Sequence, residues 1–530
     1  MSLRKRRRLR IVIPIYPAFN IYSSIARTTT SLGPVCVASS AAEVPGWDVE
    51  VIDENNLRRY GPRGPDGGAD HKLLQRIRPA DVVGFYGGLT STIPRLYEIA
   101  AFYKQQGVLT IAGGQHFLAE NIAEALSSGI DYVVVGEGEE TIKDILLAID
   151  NKKGFGGIKG LAYFAHNGVG DLRQDNRNVV FTPSRPPLLD FDRFPLGDFS
   201  LVRYARISLY PVGRIRGCGM ECEFCTVKGR PRPASPERLL ENISLLLETR
   251  DARNFFIVDD LFGQQREETI RLCHMLKKYQ QDVGKRLNIT VQIRLDKGKD
   301  KELLVAMRDA GINTVAIGFE SPIAEELSAM RKRIRPEEMI DLARRYRKAG
   351  FLVHGMFIFG YPAKEGVDFV MSANERARRF KAFIKSSGIN TVQVLLPVPL
   401  SGTELKTRLQ KEGRIYSLRD IGWEYYDGNF PLFSPDSPMT PEQMQISIRR
   451  IMGRFYRFRH IFMVGLHIFS FPGLIFFLHN IKLAWNRWRC AWRNHIIRFG
   501  GWAIIQNWTS QLKKGYFSQR LERAKRNLGK

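Results

Sequence analysis

The first 150 residues alternate between short apolar runs and stretches in which apolar positions recur at helical spacing. The runs are rich in β-branched residues and end in Gly, Pro or Asp, which is typical of strands buried in a parallel sheet. Two intervening segments, Thr92–Gln106 and Leu118–Ser128, have amphipathic helical spacing. The pattern predicts a doubly wound, Rossmann-like α/β domain over residues 1–150. Its predicted strands are Ile11–Tyr16, Val49–Asp53, Asp81–Tyr86, Val108–Ala112 and Tyr132–Val135.

The same alternation returns between residues 206 and 415. Residues 151–205, which precede this second alternating region, contain many Gly and Pro residues, and we interpret them as a linker with a small hairpin. Six apolar runs separated by amphipathic segments predict a partial (β/α)6 TIM-like barrel. The predicted strands are Arg206–Leu209, Phe255–Val258, Thr290–Ile293, Thr314–Ile317, Leu352–Phe359 and Thr391–Leu396. The predicted helices are Pro236–Thr249, Gln264–Gln281, Asp300–Ala310, Pro336–Ala349 and Val367–Ser386.

Residues 416–530 break this alternation and predict a helical, basic C-terminal region. Within it, Ile461–Leu478 is apolar over eighteen residues apart from His467, Ser470 and a Pro472-Gly473 pair. That length is at the threshold for a membrane span. The Pro-Gly pair and the basic flanks favour a re-entrant or surface-embedded hairpin instead. The sequence does not distinguish a segment that spans the membrane from one that is attached to its surface.

Composition and charge narrow the class of protein. A hydrophobic fraction of 44% with 25% charged residues excludes a disordered chain, and a formal net charge of +26 favours an anionic partner. Beyond residue 480 the chain holds five of its seven tryptophans and twelve Lys or Arg against one acid, Glu522. A Trp-bearing face beside an Arg-rich face is typical of an interfacial helix. We therefore expect an anionic membrane surface, and not nucleic acid, as the partner; packing against the barrel is the alternative.

The N-terminal run Arg4–Arg10 is basic and leads into only six apolar residues, Ile11–Tyr16, interrupted by Pro14. This is too short for the apolar core of a signal peptide, so we predict a solvated arm followed by a strand. Six cysteines, three of them clustered, favour a reducing cytoplasm over a disulfide scaffold. These features predict a cytoplasmic protein that is peripheral on the inner face of the membrane.

The clustered cysteines are Cys218, Cys222 and Cys225, with C-x3-C-x2-C spacing. Three thiolates on one loop can hold three irons of a [4Fe–4S] cluster and leave the fourth iron open. A structural zinc site needs four ligands. No fourth Cys or His is nearby, because His166 and His274 are each about fifty residues away. A zinc knuckle nevertheless remains the alternative for this loop.

The cysteine spacing, with Phe224 directly before the last cysteine, resembles the cluster loop of the radical S-adenosylmethionine (SAM) superfamily. The resemblance implies that SAM binds the open iron and that its reductive cleavage yields a 5′-deoxyadenosyl radical. It also implies an electron donor such as flavodoxin or ferredoxin. Polar groups near the ends of the other barrel strands resemble the SAM site of the same family. The SAM-binding residues implied are Phe224, Asp260, Arg294, Glu320 and Ser321.

Small residues follow the predicted strands of the N-terminal domain, and their order resembles the cobalamin-binding domain that precedes many radical SAM domains. The implied cobalamin-binding residues are Thr90, Ser91, Gly113, Gly114, Gly136 and Glu137. One motif departs from that family: the D-x-H-x-x-G position after the first strand reads Tyr16–Ile21 and has no histidine. A histidine of this loop therefore cannot bind cobalt. We expect His71 and His116 to be surface or loop residues, and a domain that has lost its ligand is the alternative.

The sequence thus predicts a cobalamin-dependent radical SAM enzyme that methylates an unactivated carbon. The basic, apolar C-terminal region favours a lipid or other membrane-resident substrate over a water-soluble small molecule. Two rivals remain. One is a radical SAM enzyme that cyclises or rearranges its substrate without transferring methyl. The other is a non-enzymatic binding protein with a metal knuckle and a basic tail.

Overall fold

The computed structural model describes residues 6–58, 60–165, 178–470, 481–514 and 516–528. The strands of the N-terminal half are β1 Arg7–Ile13, β2 Trp47–Asp53, β3 Val82–Tyr86, β4 Leu109–Gly113, β5 Tyr132–Val134, β6 Leu161–Phe164, β7 Val179–Phe181 and β8 Val202–Arg203. Those of the C-terminal half are β9 Tyr210–Val212, β10 Ile215–Arg216, β11 Arg232–Pro233, β12 Asn254–Phe262, β13 Asn288–Ile293, β14 Ile312–Glu320, β15 Leu352–Ile358 and β16 Thr391–Leu395.

Helices fill the intervals between these strands and predominate in the described part of the C-terminal region. Those of the N-terminal half are α1 Ser23–Ala26, α2 Leu32–Ala42, α3 His71–Ile77, α4 Ile93–Gln105, α5 Ala119–Ser127 and α6 Glu139–Asp150. Those of the barrel are α7 Pro236–Arg250, α8 Arg266–Val283, α9 Lys301–Asp309, α10 Ala324–Ala329, α11 Pro336–Lys348, α12 Ala373–Ser387 and α13 Glu404–Lys411. The remainder are α14 Leu418–Ile421, α15 Pro441–Phe455, α16 His460–Ser470, α17 Ile481–Lys514 and α18 Phe517–Asn527.

The N-terminal half forms one sheet with strand order β7-β6-β5-β4-β3-β1-β2-β8. Strands β1 to β5 and β8 run parallel, and the β6–β7 hairpin adds two antiparallel strands at one edge. Strand order reverses between β1 and β3, which creates a crevice at their carboxyl ends where ligands bind in such sheets. The doubly wound fold predicted from the sequence is confirmed.

The second sheet has the consecutive order β16-β15-β14-β13-β12-β9, with every neighbouring pair parallel. Among the described strands, β9 and β16 are the two edges and do not pair, so the six-stranded barrel is open on one side. This confirms the partial (β/α)6 barrel. The first strand lies slightly later than predicted, at Tyr210–Val212 instead of Arg206–Leu209, because Tyr210 and Val212 are the buried residues of this stretch.

The basic N-terminal run is not a solvated arm, and this prediction was wrong for the described residues. Strand β1 begins at Arg7, and its register sets Arg8 opposite Asp48 and Arg10 opposite Glu50. The Nε of Arg10 donates to Glu50 at 2.7 Å, and both side chains are fully buried. Acidic residues of β2 thus neutralise these cations across the strand pair.

The C-terminal region lies against the barrel. Helix α15 packs on α12 and β16, and α16 packs on α17. Trp508 of α17 and Phe517 and Leu521 of α18 are buried, so the end of the described chain packs against the rest of the protein. No helix among the described residues has the length and apolar character of a membrane crossing. Residues 471–480, the centre of the predicted hairpin, lie outside the described residues.

The Arg10–Glu50 pair makes a stability prediction. Arg10→Met leaves the Glu50 carboxylate buried with only Arg78 beside it, so we expect the free energy of unfolding to fall by about 3 kcal/mol. The control is Arg7→Met, whose partner Asp150 is partly exposed, and we expect it to cost less than about 1 kcal/mol. Urea unfolding followed by circular dichroism measures both; equal losses would contradict the role of burial.

Candidate active site

The cysteine loop connects β10 to β11, which pair with each other as a short antiparallel ribbon. It begins at Gly217, whose φ of +89° and close approach to Arg230 favour glycine: a Cβ there would lie 2.7 Å from the Arg230 carbonyl oxygen. The Gly217 N–H donates to Asp260 Oδ2 at 2.6 Å. Asp260 of β12 therefore holds the start of the loop at the barrel mouth.

The three loop thiols are free of disulfides, with Cys222 buried and the other two half-buried. Backbone contacts fix the loop: Gln264 Nε2 donates to the Cys218 carbonyl at 2.9 Å, and the Cys225 N–H donates to the Cys222 carbonyl at 3.2 Å. Burial raises the pKa of the Cys222 and Cys225 thiols. Within the described ranges, no three His, Cys, Asp or Glu side chains converge as a site for a single metal ion.

A buried carboxylate ties the loop to the rest of the barrel. Glu223 lies between Cys222 and Cys225, and its Oε2 accepts the Tyr361 hydroxyl proton at 2.6 Å. The Arg408 guanidinium donates to both carboxylate oxygens of Glu223, at 2.7 and 3.1 Å. Tyr361 itself is fully buried, and its ring meets Phe224 edge-on at 6.1 Å between centroids. This anchor holds the middle of the loop.

Two of the predicted SAM-site residues also contact the loop or its surroundings. Arg294 donates to Asp296 at 3.0 and 2.8 Å and lies 3.2 Å from the Met220 sulfur. Glu320 has a positive φ of +59° and accepts an ion pair from Lys332 Nζ at 2.7 Å. Burial opposes the charge of Lys332, but Glu320 outweighs it and raises the pKa of this ammonium. Lys332 is not predicted from the sequence, because it lies in a basic run typical of exposed surface.

Ser321 occupies a different environment. Its Oγ donates to the Glu326 carboxylate, which also pairs with Arg376, and all three side chains are buried. The Ile323 N–H donates to the same Oγ at 3.1 Å. Burial raises the pKa of Glu326 to about 7. The structure therefore places Ser321 in a packed polar network beside Glu320, and its contact with SAM stays a prediction.

A cavity of about 610 Å³ lies between the two sheets. On one side it meets the carboxyl ends of β3, β4 and β5 and the face of α2. On the other it meets β10, the cysteine loop and Asp260. Four of the predicted cobalamin residues line it, namely Gly113, Gly114, Gly136 and Glu137, whereas Thr90 and Ser91 are buried outside its lining. The cavity is thus bounded by both domains.

Gly114 shows why this wall needs glycine. Its φ is +123°, and a Cβ would lie 2.7 Å from the Gly87 carbonyl carbon, so the turns after β3 and β4 touch backbone to backbone. Gly136 has a φ of +96° with open space beside it. Flat, side-chain-free turns leave room for a bulky planar ligand, which fits a corrin.

Ion pairs cross the cavity wall from one domain to the other. Glu137 Oε1 pairs with Arg216 at 3.2 Å and Arg232 at 2.9 Å, and Arg216 also pairs with Glu139. Burial opposes ionisation of Glu137, but hydrogen bonds from Arg232 and the Leu188 N–H hold its pKa below the usual range. Arg216 directly precedes Gly217, so the N-terminal domain is tied to the base of the cysteine loop.

Both histidines of the N-terminal domain are buried. His116 lies in the loop between β4 and α5, as predicted, whereas His71 begins helix α3, so its prediction as a surface or loop residue was wrong. His71 Nδ1 lies 3.0 Å from the Tyr103 hydroxyl and His71 Nε2 lies 3.3 Å from Glu54. His116 packs against Trp423 at 4.8 Å between ring centroids, and burial lowers its pKa to about 4. Neither histidine lines the cavity.

Two family profiles match the chain: the radical SAM superfamily over residues 212–375 and the B12 binding domain over residues 21–146. The chain is a radical SAM enzyme with a B12-binding domain, as the resemblance implied. Its cofactors are a [4Fe–4S] cluster, SAM and cobalamin. Three free thiols on one loop and a glycine-walled cavity beside it fit this set.

Individual proteins with similar sequences or structures include methyltransferases. An uncharacterised methyltransferase from Pyrococcus horikoshii is 27% identical over 397 residues, 73% of this chain and 80% of that protein. The hopanoid C-2 methylase of Rhodopseudomonas palustris is 28% identical over 252 residues, 46% of each chain. The cobalamin-dependent SAM radical enzyme OxsB, solved with aqua-cobalamin and SAM, matches with a TM-score of 0.64 at 15% identity, covering 99% of this chain and 84% of that one. This last match shows a shared fold.

The Glu223 anchor predicts a selective effect on cluster retention. Glu223→Ala leaves Arg408 and Tyr361 without their shared acceptor, so we expect the loop to loosen and to lose iron and sulfide several times faster during gel filtration. Glu221→Ala, two residues away and exposed, is the matched control and should retain its cluster. Anaerobic reconstitution followed by iron and sulfide assays measures this; equal retention by the two variants contradicts the anchor.

Proposed function

We propose that the protein is a cobalamin-dependent radical SAM methylase that acts on an unactivated carbon of a lipid-like substrate. The observation that carries the proposal is the cavity between the domains, because one wall belongs to the B12-binding domain and another to the cysteine loop. When bound, the cluster and SAM supply a 5′-deoxyadenosyl radical, and cobalamin supplies a methyl group. The chain's own residues must then hold these groups and the substrate carbon around one space.

Cys218, Cys222 and Cys225 are the proposed cluster ligands. The chemistry of the donor set supports them, since all three thiols are free and lie on one anchored loop. Lys332, held by Glu320, adds positive charge beside Cys222 and would favour its thiolate. Phe224, Asp260, Arg294, Glu320 and Ser321 remain the proposed SAM-site residues.

The glycine turns of the N-terminal domain are the proposed cobalamin seat. Gly113, Gly114 and Gly136 would meet the corrin with backbone atoms, and Glu137 would act mainly by keeping Arg216 and Arg232 in place. Thr90 and Ser91 are proposed as cobalamin residues on the resemblance alone. The Tyr16–Ile21 loop has no histidine, so it would offer a bound cobalamin no imidazole.

A lipid-like substrate is supported by two independent features. One is the similarity to a hopanoid C-2 methylase over 252 residues. The other is the basic C-terminal region, which we propose attaches the enzyme to an anionic membrane surface. An enzyme on the membrane surface meets substrates that partition into lipid without extracting them through water.

A labelling experiment tests the function. The reconstituted enzyme is incubated anaerobically with methyl-deuterated SAM, reductant and a total lipid extract, and lipids are analysed by mass spectrometry. We expect a deuterated lipid with wild type and with Cys273→Ala, whose thiol is buried in α8, and none with Cys218→Ala. Formation of 5′-deoxyadenosine without deuterated product would contradict methylation and favour cyclisation or rearrangement. A single zinc with no iron would favour the metal-knuckle rival.

Filling the cavity tests the cobalamin seat. Gly84 of β3 lines the cavity with ordinary backbone geometry, so Gly84→Leu adds a side chain there. Since an inserted side chain costs about 1–3 kcal/mol, corrinoid retained after hydroxocobalamin loading and desalting should fall about tenfold or more, with iron content unchanged. Gly157→Leu, at an exposed glycine outside the cavity, is the control. Undiminished corrinoid in Gly84→Leu would place the corrin elsewhere.

A further inference from the structure

A second cavity, of about 670 Å³, lies between α12, α15 and the C-terminal helices α16 and α17. Seven of its lining residues are Lys or Arg, and none is Asp or Glu. The basic residues are Arg378, Lys381, Lys385, Arg454, Arg457, Arg459 and Arg498. We call this cavity the basic pocket. It is separate from the site between the domains, and no lining residue is shared.

The sequence around this pocket contains almost no acidic residues that could neutralise its positive charge. Residues 443–521 contain thirteen Lys or Arg and no Asp or Glu. On α12, Glu375 pairs with Arg378 and Arg379. Lys381, Lys385, Arg454, Arg457 and Arg459 make no ion pair with any residue that the structure describes, and residues 471–480 contain no acid. Most of the pocket's positive charge is therefore not neutralised by the protein itself.

The concentration of positive charge is unfavourable for Arg498. Its guanidinium lies over Phe455, 4.5 Å from the ring centroid, and one nitrogen donates to the Ile389 carbonyl at 3.3 Å. Its Nε is buried without a hydrogen-bond partner. Burial and the nearby cations Arg347 and Arg459 lower the pKa of Arg498. A bound anion would relieve both the mutual repulsion and the unmet donor.

An exposed apolar face adjoins the pocket. Phe458, Phe462 and Leu466 follow each other at four-residue spacing, and between 47% and 63% of each remains exposed. Phe458 is flanked in sequence by Arg457 and Arg459 of the pocket, and its ring packs on Trp502 at 4.9 Å. Cations next to an apolar helix face form the pattern that binds membrane surfaces.

We propose that the basic pocket binds the phosphate headgroup of an anionic phospholipid while Phe458, Phe462 and Leu466 enter the acyl-chain boundary. The proposal rests on the membrane attachment proposed above and assigns it to particular side chains. The apolar face decides the occupant, because free phosphate or a nucleic-acid backbone would leave these three side chains in water. The site would also orient the enzyme, since α12, which lines the pocket, is a helix of the barrel.

Vesicle binding by the full-length holoenzyme tests the proposal. The probes are phosphatidylcholine vesicles with and without phosphatidylglycerol, and partition is measured by flotation. Lys381→Gln with Arg459→Gln removes two unpaired pocket cations. At about fivefold per cation, the partition coefficient on phosphatidylglycerol vesicles should fall about 25-fold. The matched control is Lys72→Gln with Lys153→Gln, which changes net charge equally on the N-terminal domain and should shift binding far less.

Equal partition on the two vesicle types overturns the proposal, and so do equal losses by the two double variants. Preferential capture by a single-stranded RNA oligonucleotide that competes with vesicles also overturns it. SAM cleavage to 5′-deoxyadenosine by the pocket variant separates this result from a failure of the proposed enzyme function. Cleavage at the wild-type rate with weakened vesicle binding supports the pocket as a docking site.

Discussion

The ion pairs between Glu137, Glu139 and two barrel arginines are the contact on which the site depends. Arg216 ends the strand before the cysteine loop, and Arg232 begins the strand that follows it. Both guanidinium groups reach the N-terminal domain at the turn after β5. Their positions therefore fix the glycine turns of one domain opposite the base of the cysteine loop, and both border the cavity of about 610 Å³.

This constraint brings the two halves together at one cavity. Parallel sheets place functional groups at the carboxyl ends of their strands, and here the ends of β3, β4 and β5 border the same cavity as Gly213, which follows β9, and Asp260 of β12. The loop is held from two directions, by Asp260 and Gln264 near its start and by Tyr361 and Arg408 at Glu223. A rigid loop keeps reacting groups at fixed separation, which radical chemistry needs to avoid side reactions.

The predictions from sequence succeeded where the signal was local. Strands buried on both faces are continuous apolar runs, and the cysteine spacing lies within nine residues. The predictions failed where a residue distant in the sequence determines how far a strand extends or whether a side chain is buried. Strand β1 extends back to Arg7 because Asp48 and Glu50 stand opposite its arginines. His116 is buried because Trp423 covers it, and Lys332 is half-buried beside Glu320, with which it pairs. Hydrophobic periodicity does not predict such pairs.

The two proposed cofactor seats border one cavity, and electron paramagnetic resonance of the holoenzyme reports their proximity. Co(II) cobalamin and the reduced [4Fe–4S] cluster are both paramagnetic, so neighbouring centres on one cavity must interact. We expect splitting or broadening of the Co(II) signal on cluster reduction, and we expect none in Cys218→Ala protein loaded with the same corrinoid. Two independent, unperturbed spectra in a sample that holds both centres would contradict it.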